Sequence, residues 1–340
     1  HERISTAFFE TVFGIVRHDK RRGSTIYRRR QKRRFSKRKR TILKVPGSRF
    51  TVGITGNREP GTRNKKSFMS RRIILTGFLV VSLVVLFFVY QKYQVFYGPN
   101  VSEELKNPYL HIPTGSTFEE IQKLLEEGGF LNDSESFVET AEWMSFIKPN
   151  MRAGRFEIQP NWSNQQLIRH LRGGKQATVK VVLTNQRLPE EVAQKAARFI
   201  EADSADIQAL FNDRQYIEQL GYTSETLMSL FIPNTYEFFW NTNAKEFMER
   251  MVKEHEKFWG KDDRLNKAKL KEMSPEEVYT LASIVEKETN QNKEKERMAG
   301  VYINRIKQGI LLQADPTCVF ATRDFTTRRV TNYHTKFDSP

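Results

Sequence analysis

Two glutamates at the end of one predicted helix are the residues of this chain best suited to acid–base chemistry. Glu286 and Glu288 close the run Leu281–Thr289, in which apolar residues recur at helical spacing. At about 100° per residue, Glu288 falls beside the apolar stripe and Glu286 points toward the polar edge. A carboxyl group beside a hydrophobic wall tends to stay protonated near neutral pH, as a general acid must. The pattern favours Glu288 as the acid and keeps Glu286 as the alternative, although an ordinary solvent-facing glutamate explains the same spacing.

More polar side chains follow this pair. Asn304 and Arg305 lie in a second predicted helix, and Gln313 and Asp315 lie in a predicted polar loop, residues 313–317. They supply hydrogen-bond donors and acceptors that can orient a sugar, and none is a nucleophile. The sequence has no metal-ligand cluster, phosphate-binding loop or Gly-rich dinucleotide turn, so neither a metal nor a cofactor is predicted.

The helix that must position Glu288 has clear start signals. Ser274 suits the N-cap, Pro275 the first helical position, and Glu276 and Glu277 the positive end of the helix dipole. Its expected buried face consists of Val278, Leu281, Ala282, Ile284 and Val285.

The segments before this helix allow two interpretations. The aromatic run Leu230–Trp240 is either part of the core or a platform for sugar rings, and its composition favours the core. Ala244–Trp259 is predicted to be a helix on which His255 is a surface residue, and Lys261–Lys271 a charged connector.

Residues 107–175 have the pattern of a small α/β module. The expected elements are a strand near 109–113, helices over 117–127 and 134–146, a returning strand over 154–158 and a helix over 163–171. This order is compatible with a carbohydrate-binding module of the LysM type.

Ile73–Tyr90 contains no charged residue and at 1.5 Å per residue just spans a hydrocarbon core. Basic residues precede it, so the positive-inside rule puts the N-terminus in the cytoplasm and the chain after about residue 95 outside. A cleaved signal peptide is the alternative, but no small-residue cleavage site follows the run. We therefore predict a single-pass membrane anchor.

The basic character of the chain is concentrated at its head. Residues 1–72 hold 23 of the 56 lysines and arginines but 4 of the 40 acidic residues. The block 28–40 should repel itself and remain disordered. Three interpretations of residues 1–68 compete: an inert or foreign extension ahead of a start at Met69, a lipid-contacting segment, or a nucleic-acid binder. We expect no nucleic-acid partner. The single cysteine, Cys318, excludes an internal disulfide.

An ordered set of motifs resembles the YceG-like family, whose members are MltG-type endolytic murein transglycosylases. The motifs are Leu281–Thr289, Val301–Arg305 and Leu312–Thr317. Pro233–Phe238 is similar to a Pro-Asp-Thr-Tyr segment of the family, with Asn234 in place of the aspartate. The anchor and the 107–175 module fit in the same order, so the resemblance covers residues 69–340.

The resemblance implies cleavage of the β-1,4 bond between N-acetylmuramic acid and N-acetylglucosamine in nascent peptidoglycan. One acid, Glu288, protonates the leaving oxygen and then serves as base, while the muramic C6 hydroxyl attacks to leave a 1,6-anhydro end. The substrate contacts implied are Asn304, Arg305, Gln313, Asp315, Thr317, Tyr236 and Glu237.

The implied architecture is α+β. A transmembrane helix (73–90) is followed by a LysM-like module (107–175) and a helix-rich catalytic domain (178–340), all in the bacterial cytoplasmic membrane with the catalytic part outside. Glycan strands and the membrane are the implied partners, with peptidoglycan synthases as a further one. Asn234 removes a charge that the family usually carries, and a further C-terminal segment is expected beyond Pro340. A non-catalytic, membrane-anchored peptidoglycan-binding scaffold is the alternative function.

Overall fold

The computed structural model describes residues 65–184 and 186–339, with side chains from residue 74 onward. Within these residues the chain is rich in helices and has two small antiparallel sheets, so the predicted mixture of helix and strand is confirmed. The predicted basic extension lies, up to residue 64, outside the described residues. Residues from Val89 onward belong to one compact unit, and the residues just before it to another.

Helix α1, Lys65–Tyr97, contains the predicted anchor. Its segment Ile74–Tyr97 has 24 residues, and the most apolar window of 18 residues within it has a mean hydropathy of 2.4 and is not buried. By length and composition this helix can cross a membrane. It continues beyond the predicted end of the span at Tyr90.

The first part of the compact unit has two strands and three helices in the predicted order. Strand β1 (Tyr109–Ile112) pairs antiparallel with β2 (Gly154–Glu157), and Leu110 lies opposite Phe156. The three helices share one core with this sheet, in which Ile112, Phe137 and Leu167 are fully buried. The likeness of this part to a LysM module stays a prediction. The elements are β1 (Tyr109–Ile112), α2 (Phe118–Glu127), α3 (Ser134–Trp143), β2 (Gly154–Glu157) and α4 (Asn164–Gly173).

A second antiparallel sheet carries the aromatic run. Along β4, Tyr236 and Phe238 are buried while Glu237 and Phe239 are exposed, the period of two expected of a strand with one buried face. The core interpretation of this run is confirmed. The elements are β3 (Thr178–Leu183), α5 (Pro189–Ala197), α6 (Ser204–Asn212), α7 (Arg214–Gln219), a 3-10 turn (Leu227–Leu230) and β4 (Asn234–Phe239).

Two polar contacts connect the parts of the unit that carry the two sheets. The Thr114 backbone N–H and hydroxyl each donate to the Glu201 carboxylate, both at 2.6 Å. Nearby, the rings of His111 and Trp240 meet edge to face with centroids 4.9 Å apart. These contacts fix the two parts of the unit to each other.

Six helices complete the described chain, and the predictions for a connector, a loop and His255 in this region are wrong. The expected charged connector contains a helix, α9 (Arg264–Leu270), whose first residue, Arg264, is buried over the Phe258 ring and donates to its carbonyl at 2.7 Å. The expected polar loop contains a helix that begins at Asp315, since Pro316 suits a first turn. The helices are α8 (Ala244–Trp259), α9 (Arg264–Leu270), α10 (Pro275–Glu288), α11 (Asn292–Lys307), α12 (Asp315–Thr322) and α13 (Asn332–Thr335).

The third wrong prediction concerns His255, which is half-buried rather than a surface residue. Its ring lies against the rings of Tyr222 and Trp259, and its Nδ1 is 3.1 Å from the Tyr222 hydroxyl. Burial lowers the pKa of His255 to about 4, although the negative charge of Glu276 opposes this shift.

Candidate functional site

Helix α10 carries Glu288 and begins as the sequence predicts. The Ser274 hydroxyl accepts a hydrogen bond from the Glu277 N–H at 3.2 Å, and the Glu277 carboxylate accepts one from the Ser274 N–H at 2.8 Å. This reciprocal capping box fixes the start of the helix, and Pro275 is its first residue. All five residues of the expected apolar face are buried.

The helix ends at Glu288, which leaves that side chain exposed. Thr289 is extended, with φ −141° and ψ 138°. Its hydroxyl donates to the Glu294 carboxylate at 2.8 Å and accepts from the Gln291 N–H at 3.1 Å. Because no further helical turn covers Glu288, the expected half-burial of its carboxyl group is wrong.

Tyr302 on α11 hydrogen-bonds to the side chain of Glu288. Its side chain is 5% exposed. Burial raises the pKa of Tyr302, and the charge of Glu288 and a hydrogen bond to that carboxylate raise it further. The sequence prediction did not include Tyr302, although its position three residues before Arg305 puts both on one helical face.

Arg305 and Asp315 also lie near the Tyr302 phenol. The positive charge of Arg305 lowers the pKa of Tyr302, and the negative charge of Asp315 raises it, in addition to the larger effect of burial. The Arg305 guanidinium donates to the Gln313 side-chain oxygen at 2.7 Å and to the Leu311 carbonyl at 2.8 Å. Gln313 has a φ of +53°, a left-handed conformation uncommon for residues other than glycine. We call Glu288, Tyr302, Arg305, Gln313 and Asp315 the Glu288 cluster.

The remaining predicted contacts lie outside this cluster. Asn304 is exposed two residues after Tyr302, about 200° around α11 from it. The Thr317 hydroxyl donates to the Ala314 carbonyl at 2.7 Å. Tyr236 is buried and its hydroxyl donates to the Ile232 carbonyl. Glu237 is exposed on β4, 4.0 Å from the ammonium group of Lys180.

The alternative acid, Glu286, has a cationic partner. The Lys295 ammonium lies 2.5 Å from its carboxylate, and the lysine side chain is 9% exposed. A buried cation needs a counter-charge, so this glutamate has a structural task. Glu288 makes no such ion pair with any cation in the described part of the chain.

The Glu288 cluster brings one accessible carboxyl group together with a phenol that hydrogen-bonds to it, and a guanidinium and a second carboxylate lie near that phenol. Within residues 65–184 and 186–339 no group of three or more His, Cys, Asp or Glu side chains is arranged to hold a metal ion.

Two grooves flank α10. One has a volume of about 400 Å³ and an apolar floor that includes Leu281, Ile284 and Ile303. The other has a volume of about 520 Å³, is mostly polar, and lies at the C-terminal end of the helix beside Glu286. Glu288 itself lines neither groove, although its neighbour Lys287 lines the polar one.

The sequence profile of the YceG-like family matches residues 110–340, which include both sheets and the whole Glu288 cluster. The chain belongs to the YceG-like family. The resemblance drawn from the motifs is thereby confirmed at the level of the family.

Among its relatives are proteins named endolytic murein transglycosylase. That of Streptococcus pneumoniae serotype 2 (strain D39 / NCTC 7466) is 25% identical over 236 residues, covering 62% of this chain and 42% of the relative. That of Bacillus subtilis (strain 168) is 21% identical over 228 residues, covering 62% of each chain. The chain thus spans less than two thirds of the length of either relative.

A yceG-like protein of Listeria monocytogenes, known from a crystal structure, is also similar to this chain. The sequence identity is 25% and the TM-score 0.41, over 68% of this chain and 80% of that one.

Proposed function

We propose that this chain is an endolytic lytic transglycosylase that cleaves the β-1,4 bond between N-acetylmuramic acid and N-acetylglucosamine in nascent peptidoglycan. The names of its relatives support this reaction class, and membership of the YceG-like family supports it further. The observation that carries the proposal is the exposed Glu288 carboxyl group, bonded to Tyr302 and free of an ion pair with any described cation.

The proposed mechanism needs one proton carrier. Protonated Glu288 gives its proton to the glycosidic oxygen as the bond to the muramic anomeric carbon breaks. The C6 hydroxyl of the same sugar then attacks that carbon, and the Glu288 carboxylate takes the hydroxyl proton. A 1,6-anhydro ring forms, a free N-acetylglucosamine hydroxyl leaves, and Glu288 is protonated again. No water and no metal enter this sequence of steps.

In this proposal the other members of the cluster position the acid and form hydrogen bonds with the sugar. Tyr302 holds the Glu288 carboxyl group in position. Arg305, already bonded to Gln313, offers its guanidinium to sugar oxygens, and Asp315 accepts from sugar hydroxyls. Residues 107–175 serve as a LysM-like glycan-binding part. Thr317 and Asn304 remain proposed substrate contacts, although both lie outside the cluster.

We further propose a single-pass anchor in the bacterial cytoplasmic membrane, with the N-terminus in the cytoplasm and the catalytic part outside. The apolar segment Ile74–Tyr97 supports it by length and hydropathy, and the basic residues Lys65, Lys66, Arg71 and Arg72 before it support the orientation. A peptidoglycan synthase working beside this chain is a proposal from the family resemblance.

The test is mass analysis of uncross-linked glycan strands after incubation with the chain in detergent. The parent chain should produce 1,6-anhydro ends, and Glu288→Gln should lower their rate of formation at least about a hundredfold, the usual weight of a general acid. Glu296→Gln, an exposed glutamate on α11, is the matched control and should leave the rate unchanged. Full activity of Glu288→Gln would remove Glu288 from the mechanism. Binding of strands with no new ends from the parent chain would favour the scaffold function instead.

A further inference from the structure

The polar groove at the end of α10 is not used by the proposed reaction. Its lining combines basic, amide, acidic and aromatic side chains. They are Arg187, Lys287, Asn290, Glu191, Glu286 and Phe325, and we call this site the Arg187 groove.

Arg187 is held in place from two sides. Its guanidinium lies over the Phe325 ring, 4.6 Å from the ring centroid. Its backbone N–H donates to the Glu191 carboxylate at 2.7 Å. A guanidinium stacked on an aromatic face keeps its N–H donors in a fixed plane, which lowers the entropy cost of binding a planar anion.

The two cations of the groove are Arg187 and Lys287. Neither Arg187 nor Lys287 makes an ion pair with a carboxylate in the part of the chain that the structure describes. The charge of Glu286 is balanced by Lys295, whereas Glu191 keeps its negative charge while it accepts the Arg187 backbone N–H. With two cations against the charge of Glu191, the groove has one net positive charge beside the amide of Asn290, a set of donors suited to a carboxylate.

The groove and the candidate acid share one helical turn. Lys287 precedes Glu288 directly, and Glu286 lies two residues before it, which is about 3 Å along the helix axis. Lys287 points about 100° around the helix from Glu288 and Glu286 about 200°, so the groove opens on another side of α10 from the acid. Lys287 and Asn290 flank Glu288 in sequence at the end of the helix, and a flexible group attached to a sugar at Glu288 can extend around that end to them.

We propose that the Arg187 groove binds a free carboxylate of the peptide attached to the muramic acid whose bond is cleaved. This inference rests on the proposed function, since it takes a peptidoglycan strand as the ligand. Arg187 forms the paired hydrogen bonds to the carboxylate, and Lys287 and Asn290 complete its coordination. The substrate of this chain is then a strand with acidic peptides, rather than a bare or fully amidated glycan.

The experiment measures binding without cleavage. Glu288→Gln chain in detergent is titrated with uncross-linked strands of intact peptides, and with the same strands after carbodiimide amidation of all their carboxylates. Amidation should weaken binding about tenfold, the weight of a charge-assisted hydrogen-bond pair. Adding Arg187→Gln to Glu288→Gln should weaken binding of the acidic strands equally and remove the discrimination between the two ligands. Arg198→Gln, the loss of an exposed arginine at the end of α5, is the matched control and should change neither.

Two further binding measurements distinguish the proposal from misfolding of Arg187→Gln and from a different carboxylate ligand. Lys287 is exposed, so Lys287→Gln should fold normally and should reduce the discrimination even if Arg187→Gln is poorly folded. Strands stripped of peptides by an amidase carry the muramic lactyl carboxylate; tight binding of these would assign the groove to that group instead. Equal binding of acidic and amidated strands by Glu288→Gln would overturn the proposal.

The two proposals fail separately. Discrimination by Glu288→Gln without anhydro ends from the parent chain would keep the groove and reject the reaction. Anhydro ends without discrimination would do the reverse.

Discussion

The ammonium group of Lys295 lies 2.5 Å from a carboxylate oxygen of Glu286, and the lysine side chain is 9% exposed against 44% for the glutamate. The pair is thus unequal: the cation is nearly enclosed and its counter-ion is not. Removing the glutamate leaves an enclosed charge without a partner, whereas removing the lysine leaves a glutamate that water can reach.

We therefore expect Glu286→Gln to lower the free energy of unfolding by about 1–3 kcal/mol, and Lys295→Met to lower it less. Urea unfolding near neutral pH measures both. Glu296→Gln, on the same helix as Lys295, should leave the midpoint unchanged. An equal or larger loss from Lys295→Met would contradict this account of the pair.

The contact between Glu288 and Tyr302 makes a titration prediction. Burial is the first cause of the raised pKa of Tyr302, followed by the charge of Glu288 and the hydrogen bond to it. Glu288→Gln removes the charge, so the pKa of Tyr302 should fall while staying above 10.0, because the phenol remains buried.

NMR titration of the Tyr302 ring, assigned by comparison with Tyr302→Phe, measures this shift. Glu296→Gln again serves as control. An unchanged Tyr302 pKa in Glu288→Gln would show that the two side chains do not interact and would contradict the positioning role of the phenol.

The buried imidazole of His255 predicts how stability depends on pH. Its pKa falls from 6.5 in the unfolded chain to about 4 in the fold, so the unfolded state binds a proton more readily. The contribution to stability is complete above pH 6.5 and is lost as the pH falls toward 4, by up to about 3 kcal/mol.

Denaturant unfolding across this window should show stability falling with pH in the parent chain and a shallower fall in His255→Gln. Lys253→Gln, an exposed change on the same helix, controls for the altered net charge. The same slope in His255→Gln as in the parent chain would assign the pH dependence to other groups.

Local signals predicted the elements well. The Ser274 cap and the apolar spacing gave helix α10 and its buried face, because both depend on residues adjacent in sequence. The aromatic composition of residues 230–240 likewise predicted that Tyr236 and Phe238 belong to the core, and their alternation along β4 agrees with it. The family motifs led to Glu288, Arg305, Gln313 and Asp315, which do lie in one region.

What the sequence could not predict depends on contacts between distant segments. The exposure of Glu288 follows from where the helix ends relative to its neighbours. The enclosure of Lys295, Arg264 and His255 contradicts the usual exposure of charged and polar residues and needs the packed surroundings to explain it. Helix α9 was missed because seven residues with several charges give little periodicity.

The connection between α10 and α11 consists of Thr289, Asn290 and Gln291 alone. The Thr289 hydroxyl donates to the Glu294 carboxylate on α11 and accepts a hydrogen bond from the Gln291 N–H. A connection this short limits how far the start of α11 can lie from the end of α10. One residue inserted or deleted within α11 before Tyr302 would rotate the phenol by about 100° and turn it away from the acid.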